Sequence, residues 1–88
     1  MHAVVVKVTI NDFEPATEFL KSQVVPQASQ APGFVAGYWT RGEGNDGLSM
    51  VVFESEEAAR AATQRIEMPP GGEVNLDSVE VREVVANA

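Results

Sequence analysis

An aromatic pair and an arginine near the middle of the chain are the strongest candidates for chemistry. Tyr38, Trp39 and Arg41 stand in a segment of strand-forming residues, where Trp39 and Arg41 share one face and Tyr38 takes the other. An indole stacks on an aromatic ligand, a guanidinium holds an oxyanion, and a phenol donates a proton. In the alternative, Trp39 packs in an interface, Arg41 is a solvated strand end and Tyr38 is a half-buried packing residue. The pattern leaves open which face meets the rest of the fold.

Two other polar side chains are weaker candidates for ligand contacts. His2 is the only imidazole, it has no second nitrogen or sulfur partner for a transition metal, and its place beside the terminus predicts a solvated side chain. Asn11 has the chemistry to orient a ligand carbonyl, although turn or cap hydrogen bonding is the commoner use of such a residue. A hydrolase triad would have to recruit His2, so we predict neither a triad nor a metal site.

A glycine-rich segment over residues 42–47 satisfies the spacing of a dinucleotide-binding loop. That loop works where a strand leads into a helix whose N-terminus holds the pyrophosphate. Here a strand follows, and Glu43 and Asp46 would repel a phosphate. The segment also lacks the alternating oxygen ligands of a calcium loop. We therefore predict a hairpin loop.

The composition excludes several classes of partner. The 88 residues carry 13 acidic side chains and six Lys or Arg, a formal charge of −7, so no basic surface is available for nucleic acid or anionic lipid. The absence of cysteine excludes disulfides, thiolate zinc sites and cysteine nucleophiles. No apolar stretch approaches the roughly 20 residues of a membrane span, and no secretory leader is recognisable. We expect a single cytoplasmic domain over residues 1–88 that binds neither nucleic acid nor membrane.

Apolar periodicity and capping residues predict six main elements and one short helical piece. Asp12 and Ser55 are placed to cap helices, Pro26 predicts a stop or a kink, and Gly37 indicates a bulge or a close backbone approach. In chain order we predict a strand over residues 3–10, a helix from Phe13, a short helical piece over 27–31, a strand over 34–41, a strand over 48–54, a helix over 56–67 and a strand within 74–85.

The order β-α-β-β-α-β predicts an α+β fold of the ferredoxin-like type. Right-handed crossovers place both helices on one face of a four-stranded antiparallel sheet, with the first and third strands in the middle. Both central strands are apolar on both faces, as Val4 and Val5 or Met50 and Val51 illustrate, yet two helices cover only one face. The uncovered face would be a large apolar patch. We therefore predict a homodimer that packs sheet against sheet.

Short motifs along nearly the whole chain resemble the dimeric α/β-barrel superfamily, most closely its antibiotic-biosynthesis-monooxygenase-like domains. They are Ala31-Pro-Gly-Phe34, the strand end Gly37-Tyr-Trp-Thr-Arg41, and Phe53-Glu-Ser-Glu-Glu-Ala58. The resemblance implies two sheets that form a barrel, with a small cavity between helices and sheet in each subunit. Some relatives are cofactor-free oxygenases of aromatic polyketide quinols. The haem-degrading branch uses an asparagine in the first strand, where this chain has Lys7, so no cofactor is expected.

Two functions therefore follow as hypotheses. In the first, the homodimer binds a compact aromatic or apolar ligand and acts as a cofactor-independent monooxygenase-like protein. In the second, it is a non-enzymatic, stress-responsive or regulatory binding module, because the chain offers no convincing proton-transfer set and its second predicted helix is rich in alanine. An apolar pocket of several hundred Å³ favours the first hypothesis, and a cavity for only a few waters favours the second.

Overall fold

Alternating valines build the strand at the centre of the sheet. In the computed structural model, which describes residues 1–88, the elements are β1 (His2–Ile10), α1 (Phe13–Phe19), a π-turn (Leu20–Val24), α2 (Val25–Ser29), β2 (Phe34–Arg41), β3 (Asp46–Phe53), α3 (Glu56–Thr63) and β4 (Val74–Glu83). Strand β1 pairs antiparallel with β3 on one side and with β4 on the other. The sheet order is β2-β3-β1-β4, so the fold is α+β with a four-stranded antiparallel sheet, compatible with a ferredoxin-like arrangement.

The helices cover one face of this sheet, and the buried core lies beneath α3. Successive residues of a strand point to opposite faces of the sheet. Every second side chain of the central strands β1 and β3 therefore points toward α3. Phe53 is 2% exposed and its ring meets that of Phe34 edge-on, with centroids 6.4 Å apart. The core cluster consists of Val4, Val6, Val51, Phe53 and Ala59.

The two predicted helix caps behave differently. The Ser55 side chain accepts a hydrogen bond from the Ala58 N–H at 3.1 Å, which confirms the predicted cap of α3. Asp12 has the extended backbone of an N-cap, but its side chain makes no capping bond to α1. Asp12 is therefore the N-cap of α1 by position, as predicted, but its side chain does not cap the helix. The backbone N–H of Asp12 instead donates to the Glu73 carbonyl at 3.2 Å, which ties this corner to the loop before β4.

Helix α3 is shorter than its sequence predicts. It ends at Thr63, whereas we predicted helix through residue 67. Here the Gln64 N–H donates to the Ala61 carbonyl and the Arg65 N–H to the Ala62 carbonyl, each three residues back. Such bonds tighten the last turn and satisfy its carbonyls, so the helix stops before the prolines. Ile66 nevertheless packs against the core cluster from the segment that follows.

The first helical segment, residues 13–29, comprises α1, the π-turn and α2. It continues through Pro26, the proline that was predicted to stop or kink it. The Val25 N–H donates to the Leu20 carbonyl five residues back, which is the bond of a π-helix. Val24 and Val25 keep right-handed helical dihedrals, and Pro26 follows as the second residue of α2. Proline is tolerated there because the first turn of a helix does not need its N–H. The predicted stop is therefore wrong, and a π-turn precedes Pro26 instead.

The sheet face away from the helices is partly apolar and uncovered. Tyr38 pairs with Met50, and Met50 pairs with Val5, so these three side chains form a row across the sheet. Tyr38 is 68% and Met50 43% exposed, whereas Val5 at the centre is only 7% exposed. Glu80 and Arg82 border this face on β4, with 3.5 Å between the Arg82 Nε and the Glu80 Oε2. None of the helices has the length and apolar character that a membrane crossing requires.

Candidate functional site

A cavity of about 400 Å³ lies between the sheet and the first helical segment. Its floor is the helix-facing side of β1, and its roof is formed by α1, the π-turn and α2. The turn after α3 and the start of β4 close one end. Of the 29 lining residues, 19 are hydrophobic, and they include Val6, Val8, Leu20, Val24 and Val74. A volume of this size accommodates a small organic molecule.

Trp39 faces this cavity, which settles the question of face that the sequence left open. Its ring is half-buried, packs against the core cluster and lines the cavity. Gly37, two residues earlier on the same face, leaves room for the indole, because a Cβ at Gly37 would stand 2.8 Å from the Trp39 Cη2. The group that approaches Gly37 closely is thus the Trp39 side chain, and not another stretch of backbone as considered from the sequence. The β2 to β3 register also shifts between Phe34 and Ala36, just before this glycine.

Arg41 lies at the rim of the cavity, at the end of β2. Its guanidinium carbon stands 3.9 Å from the centroid of the Phe13 ring, in a cation–π contact. Phe13 is the first residue of α1 and is 42% exposed, so the contact joins β2 to the start of the first helical segment across the cavity. Trp39 and Arg41 therefore share the cavity wall, as their common parity on β2 requires.

The other predicted site residues lie outside the cavity. Tyr38 is on the opposite face of the sheet and mostly exposed, which corrects the half-buried position considered for it. Asn11 donates from Nδ2 to the Gly72 carbonyl at 2.9 Å, and so serves a loop-to-loop contact. His2 is half-buried rather than solvated, because β1 begins there and pairs it with Phe53 on β3. Its Nδ1 has no hydrogen-bond partner.

Sequence reasoning missed three residues at the cavity. Phe13 was assigned only to the start of a helix, and Lys21 and Arg65 were not candidates at all. Lys21 belongs to the π-turn and Arg65 to the turn after α3, and both line the cavity. No local spacing links these positions to Arg41, since the four residues come from three separate segments, which are the first helical segment, β2 and the turn after α3. The one available signal was Pro26, which marks an irregular helix next to the cavity.

The chemistry available in the cavity is binding and charge stabilisation rather than proton transfer by an imidazole. Its titratable side chains are Lys21, Arg41, Arg65 and Glu67, and neither His2 nor a pair of carboxylates is among the lining residues. The structure brings no three His, Asp or Glu side chains together as metal ligands. The apolar part of a ligand would be removed from water against the valines and Trp39. An anionic oxygen of the ligand would contact the guanidinium of Arg41 at the rim.

Comparison with models of protein families gives no match, and comparison with curated proteins gives none.

Proposed function

We propose that this chain is a homodimeric small-molecule-binding protein of the ferredoxin-like, dimeric α/β-barrel type, whose ligand is a compact aromatic or apolar molecule. The observation that carries the proposal is the apolar cavity of about 400 Å³ between sheet and helices. Its size falls in the range expected for ligand sites and far exceeds the space of a few waters. This supports ligand binding over a purely structural role.

The lining also favours binding on energetic grounds. Trp39 and the valines of β1 already belong to the folded core, so a ligand would meet a wall that is largely in place. Burial of apolar ligand surface contributes about 25 cal/mol per Å² before the entropic costs of binding are subtracted. Because Gly37 has no side chain, the indole of Trp39 lies close to the backbone of the sheet at that position, and the ring lines the cavity.

A neutral fluorescent probe tests the cavity directly. N-phenyl-1-naphthylamine should gain fluorescence on binding and quench Trp39, the only tryptophan in the chain. Ala28 lines the cavity from α2, so Ala28→Phe should fill it and weaken binding by about tenfold or more. Ala61→Phe, on the exposed side of α3, is the matched control and should bind the probe like the unaltered protein. Absence of probe binding to the unaltered protein would contradict the proposal.

The homodimer is supported by the uncovered sheet face. Exposed Tyr38, Leu48 and Met50 project from the same face as Val5, and a second copy would cover them without another gene product. Light scattering at micromolar concentration should then give twice the 9.4 kDa mass of one chain. Met50→Lys at the centre of this face should yield monomers, and Val85→Lys, at an exposed position beyond β4, should leave the dimer intact. A monomeric unaltered protein would refute this part of the proposal.

A second candidate function is cofactor-independent oxygenation of an electron-rich aromatic. The placement of Trp39 and Arg41 on one cavity wall favours it, because stacking and anion stabilisation are what such a substrate needs from the protein. The substrate itself would supply the electrons to dioxygen. Oxygen uptake with 1,4-naphthohydroquinone should exceed the uncatalysed rate and fall in Trp39→Phe, while Tyr38→Phe on the far face serves as control. Probe binding without turnover favours the alternative, a non-enzymatic regulatory module.

A further inference from the structure

The cavity concentrates positive charge in an otherwise acidic protein. Three of the six Lys and Arg side chains of the chain line it, Lys21, Arg41 and Arg65, whereas only one of the 13 carboxylates does, Glu67. The chain as a whole carries a formal charge of −7. The local sign is therefore opposite to the global one, and a cleft with low-dielectric walls strengthens such a local potential.

None of these three cations forms an ion pair within the protein. The two ion pairs of the structure are Arg60–Glu56 on α3 and Arg82–Glu80 on the opposite sheet face. Lys21, Arg41 and Arg65 stand in neither pair, and their side chains donate no hydrogen bond to another residue. The N–H donors of these three side chains are thus available to a ligand.

Arg41 has the geometry of a head-group contact. Its guanidinium carbon lies over the Phe13 ring, 3.9 Å from the ring centroid, so the aromatic ring holds the cation at the rim of the cavity. The N–H donors lie in the guanidinium plane and are not consumed by that contact. A guanidinium held in this way is suited to a pair of parallel hydrogen bonds to one carboxylate. Lys21 and Arg65 add positive potential on the same cavity.

We propose that the ligand of this cavity is an amphipathic monocarboxylate, whose hydrocarbon body lies against Trp39 and the valines and whose head group is bound by Arg41. This inference rests on the proposed ligand-binding function and narrows its ligand to a molecule whose apolar body carries a single carboxylate. Charge complementarity carries it: the walls are apolar, the free charges at the cavity are mainly cationic, and the surrounding surface is acidic. A neutral apolar ligand would use the walls and leave the three cations without a partner.

Three probes with one decyl tail and different head groups test this inference. Decanoate, decan-1-ol and decyltrimethylammonium would each compete with N-phenyl-1-naphthylamine, followed by probe fluorescence and Trp39 emission. We expect decanoate to bind at least about tenfold more tightly than decan-1-ol, because its carboxylate accepts a charge-assisted hydrogen bond. Decyltrimethylammonium should bind most weakly of the three. Higher salt should narrow the difference between the three probes.

Variants assign the preference to Arg41. Arg41→Gln should bring the affinity ratio of decanoate to decan-1-ol close to one. Arg82→Gln removes a cation from the opposite face and should keep the full ratio. Circular dichroism checks that both variants fold.

The outcomes separate the two proposals. If decan-1-ol binds as tightly as decanoate to the unaltered protein, the cavity binds ligands but the carboxylate inference is wrong. If Arg41→Gln keeps the full ratio, Arg41 is not the head-group contact and the inference is also overturned. If neither the naphthylamine probe nor any decyl compound binds, the proposed function itself fails.

Discussion

Two helical layers cover the same sheet face, and they differ in how closely they pack. Helix α3 packs against β1, β3 and β4 through short side chains, and Ala59 is completely buried between them. The first helical segment packs mainly through α2 against β2, and only Ala16 within it is buried. Small residues let α3 approach the sheet, whereas a π-turn with Leu20 and Val24 roofs a cavity. The tightest packing therefore lies beneath α3, and the proposed ligand cavity lies mainly beneath the first helical segment.

The largest expected difference between the layers is at their phenylalanines. Phe53→Ala removes a ring that is 2% exposed beneath α3 and should lower the free energy of unfolding by about 3–5 kcal/mol. Phe13→Ala removes a rim residue that is 42% exposed and should cost about 1 kcal/mol or less, mostly the contact with Arg41. Urea unfolding measures both. Equal losses would mean that the first helical segment is packed as tightly as α3.

The same substitution in the two layers gives a sharper comparison. Ala59→Leu forces three extra carbons between α3 and the sheet and should cost about 1–3 kcal/mol of unfolding free energy. Ala28→Leu points the same atoms toward the cavity and should change stability by less than about 0.5 kcal/mol. Thermal denaturation of both variants and of the unaltered protein measures the two losses of stability. A large loss in Ala28→Leu would show that the cavity is not open space in solution.

The two helix starts should also respond unequally. Ser55→Ala removes the bond to the Ala58 N–H and should destabilise the protein by about 1 kcal/mol. Asp12→Ala breaks no capping bond, so its cost should stay near the dipole contribution of about 0.5 kcal/mol. The difference is measurable as a shift of the urea midpoint. If Asp12→Ala costs as much as Ser55→Ala, Asp12 caps α1 in solution.

The smallest effect concerns pH and the exposed ion pair on α3. A hydrogen bond from Arg60 to Glu56, together with the charge of Arg60, holds the pKa of the Glu56 carboxyl below its ordinary value. A lowered folded-state pKa stabilises the protein above the unfolded pKa, and this contribution is lost as pH falls through the folded pKa. Glu56→Gln should thus be slightly destabilising at pH 7 and equal to the unaltered protein in strong acid, by urea unfolding at each pH.

Glu14→Gln in the first turn of α1 is the matched control, since Glu14 makes no ion pair in the structure. Because the Glu56 pair is exposed, solvent screening keeps the expected effect small. A Glu56→Gln variant that loses stability equally at all pH values would contradict an electrostatic origin.

The strand pattern was predictable from local sequence, and the helix details were not. The bounds of β2, residues 34–41, follow from a run of strand-forming residues between Gly33 and Gly42. The end of α3 and the π-turn depend on which carbonyl each N–H selects, at three or five residues back, and residue spacing does not encode that choice. Propensity therefore located the helices but misjudged their ends and the passage through Pro26.

For the site, period-two alternation determined by itself that Trp39 and Arg41 share a face and that Tyr38 takes the other. Composition likewise determined that the chain is acidic and lacks cysteine. Only the tertiary structure decided that Trp39 faces the helices, and that Lys21 and Arg65 join Arg41 at one cavity. The physical reason is that a face becomes interior only when helices pack on it, and that a cavity is a property of segments distant in sequence.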